Sequence, residues 1–103
     1  MRGLTIILES DAPDRVAFAH EMALVQRALE GALTLFITGR ATAELAKPPS
    51  MLSELFDSGA RVIACQTALS THGLSLATLD PLIEAGGLVS LMQGLGNDRL
   101  VVI

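Results

Sequence analysis

An α/β fold is what this sequence predicts: a three-layer sandwich with a mostly parallel five-stranded sheet of flavodoxin-like order 2-1-3-4-5. Three observations carry that reading. Short unbroken apolar runs recur along the chain: LTIIL at 4–8, ALTLFI at 32–37, RVIAC at 61–65, LVSL at 88–91 and RLVVI at 99–103. A strand apolar on both sides is a strand covered on both faces, which is the habit of parallel sheets. Segments of helical period or broken helix separate these runs, as parallel connections require. The 103 residues contain no linker, repeat or low-complexity tract, so residues 1–103 form a single domain.

Taken in order, the run at 4–8 lies between Gly3 and the turn-forming ESDAPD. Asp11 is the expected cap of the first helix, and Pro13 sits where a missing N–H is tolerated. Over 14–30 the pattern is helical, with Phe18, Met22, Val25 and Leu29 on one stripe and His20, Arg27 and Glu30 on another side. Gly31 is the expected stop. The second strand closes on Thr38 and Gly39. TGRATAELAKPPS then reads as a loop or broken helix, because Pro48 and Pro49 interrupt regular structure. Ser50 is suited to cap a short helix with Leu52, Leu55 and Phe56 inward and Gly59 at its end. After the strand at 61–65, residues 70–76 read as irregular and TLDPLIEAGG as a short helix ending at Gly86 or Gly87. LVSL reads as a brief strand, MQGLGND as a weak helix plus turn, and RLVVI as the last strand.

Composition excludes several classes. Half of the residues are hydrophobic and the mean hydropathy is +0.52. Even so, no apolar run approaches the roughly 20 residues needed to span a bilayer. MRGLTIILESD lacks the long apolar segment and cleavage site of a secretory signal. A soluble, cytoplasmic protein with no membrane partner is expected. One cysteine rules out an internal disulfide and suits a reducing compartment. So small a core cannot enclose that much apolar surface, which predicts a homo-oligomer or a hetero-oligomer. A net charge of −4, three Phe and no Tyr or Trp leave neither a basic stripe for phosphates nor a stacking platform for bases. No nucleic-acid partner is expected.

Among catalytic patterns, a phosphate cradle is missing, since ESDAPD is acidic and GLGND precedes a strand. His20 and His72 are far apart with no paired His/Cys spacing, so no metal is expected. Ser10, Ser70 and Ser75 lack a nucleophile elbow, and Glu9 beside Asp11 is accounted for by helix capping. No cofactor is called for. Cys65 remains, the only cysteine, at the end of the third strand. It has two readings: a small hydrophobe packed at a strand end, or a reactive thiol. The second gains from position. In the order 2-1-3-4-5, ligands bind beyond the carboxyl ends of strands 1 and 3, where the order reverses. That places Ser10 and Asp11 in one crevice with Cys65, Gln66 and Thr67. A helix starting at Gln66 would aim backbone N–H groups at the sulfur and favour thiolate. His72 becomes a cationic partner if its loop folds back. With no second cysteine, any reaction passes sulfur or electrons to another molecule.

These residues resemble the DsrE/DsrF-like family, which includes the DsrEFH and TusBCD sulfur-relay subunits and the YchN-like proteins. LTIILESDAPDR is similar to the family's opening strand and turn, and GALTLFITGRA to its second strand. SGARVIACQTALSTHGL is the most specific part: a strand begun by Gly, a cysteine at its end, and small residues closing on Gly73. NDRLVVI resembles the Asp-Arg lead-in to the last strand. The resemblance implies a parallel α/β fold, assembly into trimers or hexamers, and a strand-end cysteine that holds sulfur as a persulfide for a partner protein. Only Cys65 matches that role. Ala68 stands where some related proteins have another cysteine, and Thr71 and His72 stand where sulfur-relay subunits can carry basic residues. The expectation is a sulfur carrier or sulfurtransferase with Cys65 as thiolate, Ser10, Asp11, Gln66, Thr67 and His72 around it, and donor and acceptor proteins as partners. The alternative is a non-catalytic assembly or small-ligand module in which Cys65 is only packed. A single-cysteine redox sensor is a third reading.

Overall fold

Five strands, β1 (Leu4–Leu8), β2 (Leu33–Ile37), β3 (Arg61–Cys65), β4 (Glu84–Gly86) and β5 (Arg99–Val102), make one sheet in which every neighbouring pair is parallel. Between them lie α1 (Pro13–Ala28), a 3-10 segment (Gly39–Ala46), α2 (Ser50–Asp57), α3 (Gln66–Thr71), a 3-10 turn (Leu76–Thr78) and α4 (Leu88–Gln93). The computed structural model describes residues 1–47 and 50–103, apart from the Ser50 side chain. The expectations placed on Pro48, Pro49 and the Ser50 cap lie outside the described residues.

The three-layer α/β sandwich on a parallel five-stranded sheet is the architecture found. The strand order is not 2-1-3-4-5 but β4-β3-β2-β1-β5. The burial of β2 gives the physical reason. Four of its five residues are buried and the fifth is half-buried, which an edge strand could not achieve. β2 therefore lies centrally, between β1 and β3, while β5, mostly exposed, takes one edge. The chain steps in one direction from β1 to β4, then returns across the sheet to place β5 on the far side of β1. The order thus reverses between β1 and β5, not between β1 and β3.

Alternation along the strands splits the core in two. Leu4, Ile6, Leu8, Leu33, Leu35, Ile37, Val62 and Ala64 meet α1, the first 3-10 segment and α2 in the larger cluster. Ile7, Phe36, Ile63 and Cys65 point the other way, where Ala68 and the partly buried Leu91 of α4 are their cover. α3 straddles the two, with Leu69 in one cluster and Ala68 in the other.

α1 corrects the expected stripe. Its buried residues are Ala19, Ala23 and Gln26, whereas Phe18, Val25 and Leu29 are each more than half exposed. Alanines let the helix backbone approach the sheet closely, so the wide side chains flank the contact and do not fill it. Buried Gln26 is fully engaged: Nε2 donates to the carbonyls of Arg2 (3.0 Å) and Ala32 (3.2 Å), and Oε1 accepts from Arg99 Nη2 (2.9 Å). The helix ends also differ. The cap position is Ala12, whose N–H donates to Ser10 Oγ (3.1 Å), while Asp11 is exposed. The left-handed residue after the helix is Glu30 (φ 64°), not Gly31.

Strand and helix exchange places over 78–91, while the last strand forms as expected at β5. TLDPLIEAGG supplies β4, and LVSL belongs to α4. β4 needs no apolar run because it is a three-residue edge, held by pairing with β3 and by the bidentate Arg61–Glu84 bridge at 2.8 Å. In 88–91 only Leu91 packs inward, so the spacing is that of a helix with one inward anchor. Among the described residues, no helix is long and apolar enough to cross a membrane.

Candidate functional site

Cys65 ends β3 and caps α3, so the chain passes from strand to helix without an intervening loop. The residue keeps an extended conformation (φ −67°, ψ 120°), and the first helical residues follow at once. Residues 66–71 are therefore helical, and the irregular stretch expected from 70 begins only after Thr71. The side chain is about nine-tenths buried, among Ile7, Phe36, Ile63 and Ala68.

A shallow pocket of about 220 Å³ opens over the sulfur, lined by Thr38 and Gly39 from the end of β2, and by Thr67, Ala68, Thr71 and His72 from α3 and its end. The β2–β3 adjacency creates this pairing, since it puts the β2 exit directly beside the β3 exit. Gly39 has φ +54°, and a Cβ there would fall 2.6 Å from Glu9 Cγ, so a side chain would be both strained and obstructed. A glycine at this point lets the chain turn away at the mouth of the pocket.

Two opposed effects act on the thiol. Burial pushes its pKa up. The Thr38 hydroxyl and the backbone N–H groups of Ala68 and Thr67 stabilise the thiolate and outweigh burial, so the net shift is below the ordinary 9.0. No side-chain capping hydrogen bond of regular geometry is formed, so these donors act as surrounding dipoles.

Of the expected site residues, Cys65, Thr67 and His72 share the pocket. Gln66 is exposed and outside its lining. Ser10 and Asp11 follow β1, and β2 separates that strand from β3, so the crevice expected to join them to Cys65 is not formed. Glu9 and Ser10 instead lie against the end of β5, their N–H groups donating to the Ile103 carbonyl (2.8 and 3.2 Å). Thr38, Gly39, Ala68 and Thr71 were missed. The signal for Thr38 and Gly39 was their place after a strand, legible once β2 is known to adjoin β3. Among the described residues, no group of three or more His, Cys, Asp or Glu could hold a metal ion.

The sequence matches no family profile and no curated protein. Solved structures do match in shape. The ychN protein from E. coli superposes with a TM-score of 0.84 at 23% identity over the full length of both chains. MTH1491 from Methanobacterium thermoautotrophicum, a protein of unknown function, gives 0.87 at 14% identity, again over both full chains. BT1422 from Bacteroides thetaiotaomicron, also of unknown function, gives 0.82 at 21% identity, over 98% of this chain and 94% of that one. At these identities the likeness is one of architecture alone, a fold shared with ychN and MTH1491 over the full length of the chain.

Proposed function

We propose that this protein is a sulfur carrier that holds sulfane sulfur on Cys65. The observation that supports the reading is the pocket at the β2–β3 exits, where a hydroxyl and two backbone N–H groups favour a thiolate at a buried, single cysteine. In the proposed step the Cys65 thiolate attacks the terminal sulfur of a donor persulfide. A new S–S bond forms, the donor's S–S bond breaks, and the donor leaves as a thiolate. Cys65 then carries a persulfide anion, and the same exchange in reverse delivers the sulfur to an acceptor thiolate, with no net oxidation. Thr38, Thr67 and the N–H of Ala68 steady the terminal negative sulfur, and His72 stands at the rim. Donor and acceptor proteins, and assembly with copies of this chain or related subunits, belong to the same proposal. Intact mass spectrometry after polysulfide treatment tests it. The expected adduct is about 32 Da, one sulfur, on the wild type and none on Cys65→Ser. An unmodified wild type, or an adduct that survives the substitution, refutes it.

A second reading has its own observation: Cys65 is a member of the apolar cluster with Ile7, Phe36 and Ile63. On that reading the cysteine is packing, and the protein is an assembly or small-ligand module. A rate of iodoacetamide alkylation no faster at neutral pH than that of an ordinary free thiol favours it.

A further inference from the structure

On the face of the sheet under α4, one row of residues breaks the apolar pattern. Strand register sets Leu100, Thr5, Thr34 and Arg61 side by side across β5, β1, β2 and β3. The next row on the same face is Val102, Ile7, Phe36, Ile63 and Glu84. A covered sheet face is ordinarily filled with branched aliphatics, and Val would replace Thr in the same volume without a hydroxyl to satisfy. Here Thr5 is only 2% exposed, and Thr34 is half-buried beside it.

These hydroxyls floor a cavity of about 200 Å³ that α4 roofs, with Ser90 and Leu91 above and Asp98 at the side. Asp98 is half-buried, and its Oδ2 accepts from Thr5 Oγ1 (3.2 Å). A side chain at Gly3 would collide with this carboxylate, so the glycine is what lets Asp98 lie back over β1. No ion pair involves Asp98 among the described residues. The guanidinium lining the cavity, Arg61, is neutralised by Glu84 through two 2.8 Å hydrogen bonds. Of the two charged groups lining the cavity, Arg61 thus has its carboxylate partner in Glu84, whereas Asp98 has only the Thr5 hydroxyl against it, whose oxygen keeps lone pairs to offer.

We propose that this cavity binds a small primary ammonium group, one of its N–H bonds donated to Asp98 and the others to the Thr5 and Thr34 hydroxyls. A primary ammonium brings three donors and no acceptor, which matches a site made of one carboxylate and two hydroxyls. Thr5, Thr34 and Asp98 lie toward the amino ends of β1, β2 and β5, and Cys65, at the carboxyl end of β3, is not among the cavity's lining, so this binding needs no sulfur chemistry.

Ethylammonium chloride is the probe, titrated into the 15N-labelled full chain at fixed ionic strength and read by amide shifts. Saturable shifts near Thr5, Thr34 and Asp98 are expected, undiminished in Cys65→Ser. Thr34→Val keeps the side-chain volume, and Asp98→Asn removes the charge; each should weaken binding by about tenfold or more. Should Asp98→Asn fail to fold, Thr34→Val alone decides. Tetramethylammonium, which has no N–H, should give no saturable shift. Absence of saturable shifts with ethylammonium, equal binding of tetramethylammonium, or undiminished binding by Thr34→Val overturns the proposal.

Discussion

Cys65 owes its chemistry to residues from two separate parts of the chain. The sulfur's position at a strand end is legible in RVIAC followed by QTA, and so are the N–H donors of Thr67 and Ala68 once a helix is seen to begin there. Thr38 is not legible in that stretch, because it reaches the sulfur only through the adjacency of β2 and β3. Thr38→Val removes the first of the effects that lower the thiol pKa. The midpoint of the alkylation rate against pH should therefore move upward in Thr38→Val relative to the wild type. The same shift has a stability consequence whose sign follows from linkage. The folded pKa lies below the ordinary 9.0, so thiolate stabilisation is fully present above that pH and is lost as pH falls through the folded value. Cys65→Ala should thus lose more stability in alkaline than in mildly acidic denaturant titrations.

At the scale of elements, apolar runs located β1 and β3 to the residue and β2 to within one, because central parallel strands are buried on both faces and are apolar at most positions. β4 escaped because an edge strand carries no such signature: its three residues, Glu84, Ala85 and Gly86, are held by register and one ion pair. The inward face of α1 escaped for a different reason. Periodicity finds the most hydrophobic stripe, and here contact with the sheet selected the smallest one, Ala19 and Ala23, with Gln26 as a clamp. That clamp and the β4 ion pair should differ sharply when removed. Gln26→Leu takes its donor from the Arg2 carbonyl, leaves the Ala32 carbonyl with the Leu4 N–H alone, and releases Arg99, an expected loss of about 1–2 kcal/mol in urea unfolding. Glu84→Ala breaks a bridge whose side chains are about half exposed, 59% for Arg61 and 48% for Glu84, so its loss should stay below about 1 kcal/mol.

For the whole molecule, the alanine-faced packing of α1 leaves an apolar surface that the chain does not cover. Met22, Val25 and Leu29 border a cleft with Leu4 and Val101, beside the β5 edge. Leu88, Val89 and Met92 of α4 are exposed as well, so the excess of apolar residues expected from composition is shared between this flank and the α4 face. Sedimentation should report a species larger than the 10.8 kDa chain, and Val25→Glu with Leu29→Glu should shift it toward that mass if this flank is the contact. The two core layers are also unequal. The α1–α2 side gathers most of the buried apolar side chains, whereas the cluster on the α4 side has five, under a six-residue helix. The consequence is kinetic. Amide hydrogens of α4 and β4 should exchange with deuterium well before those of β1 and β2, through an opening that leaves the main frame standing. Cys65 belongs to the thinner layer, so its sulfur can be exposed from time to time without the protein unfolding. A thiol nine-tenths enclosed in the resting state can then meet a macromolecular partner at a frequency set by the looseness of one layer.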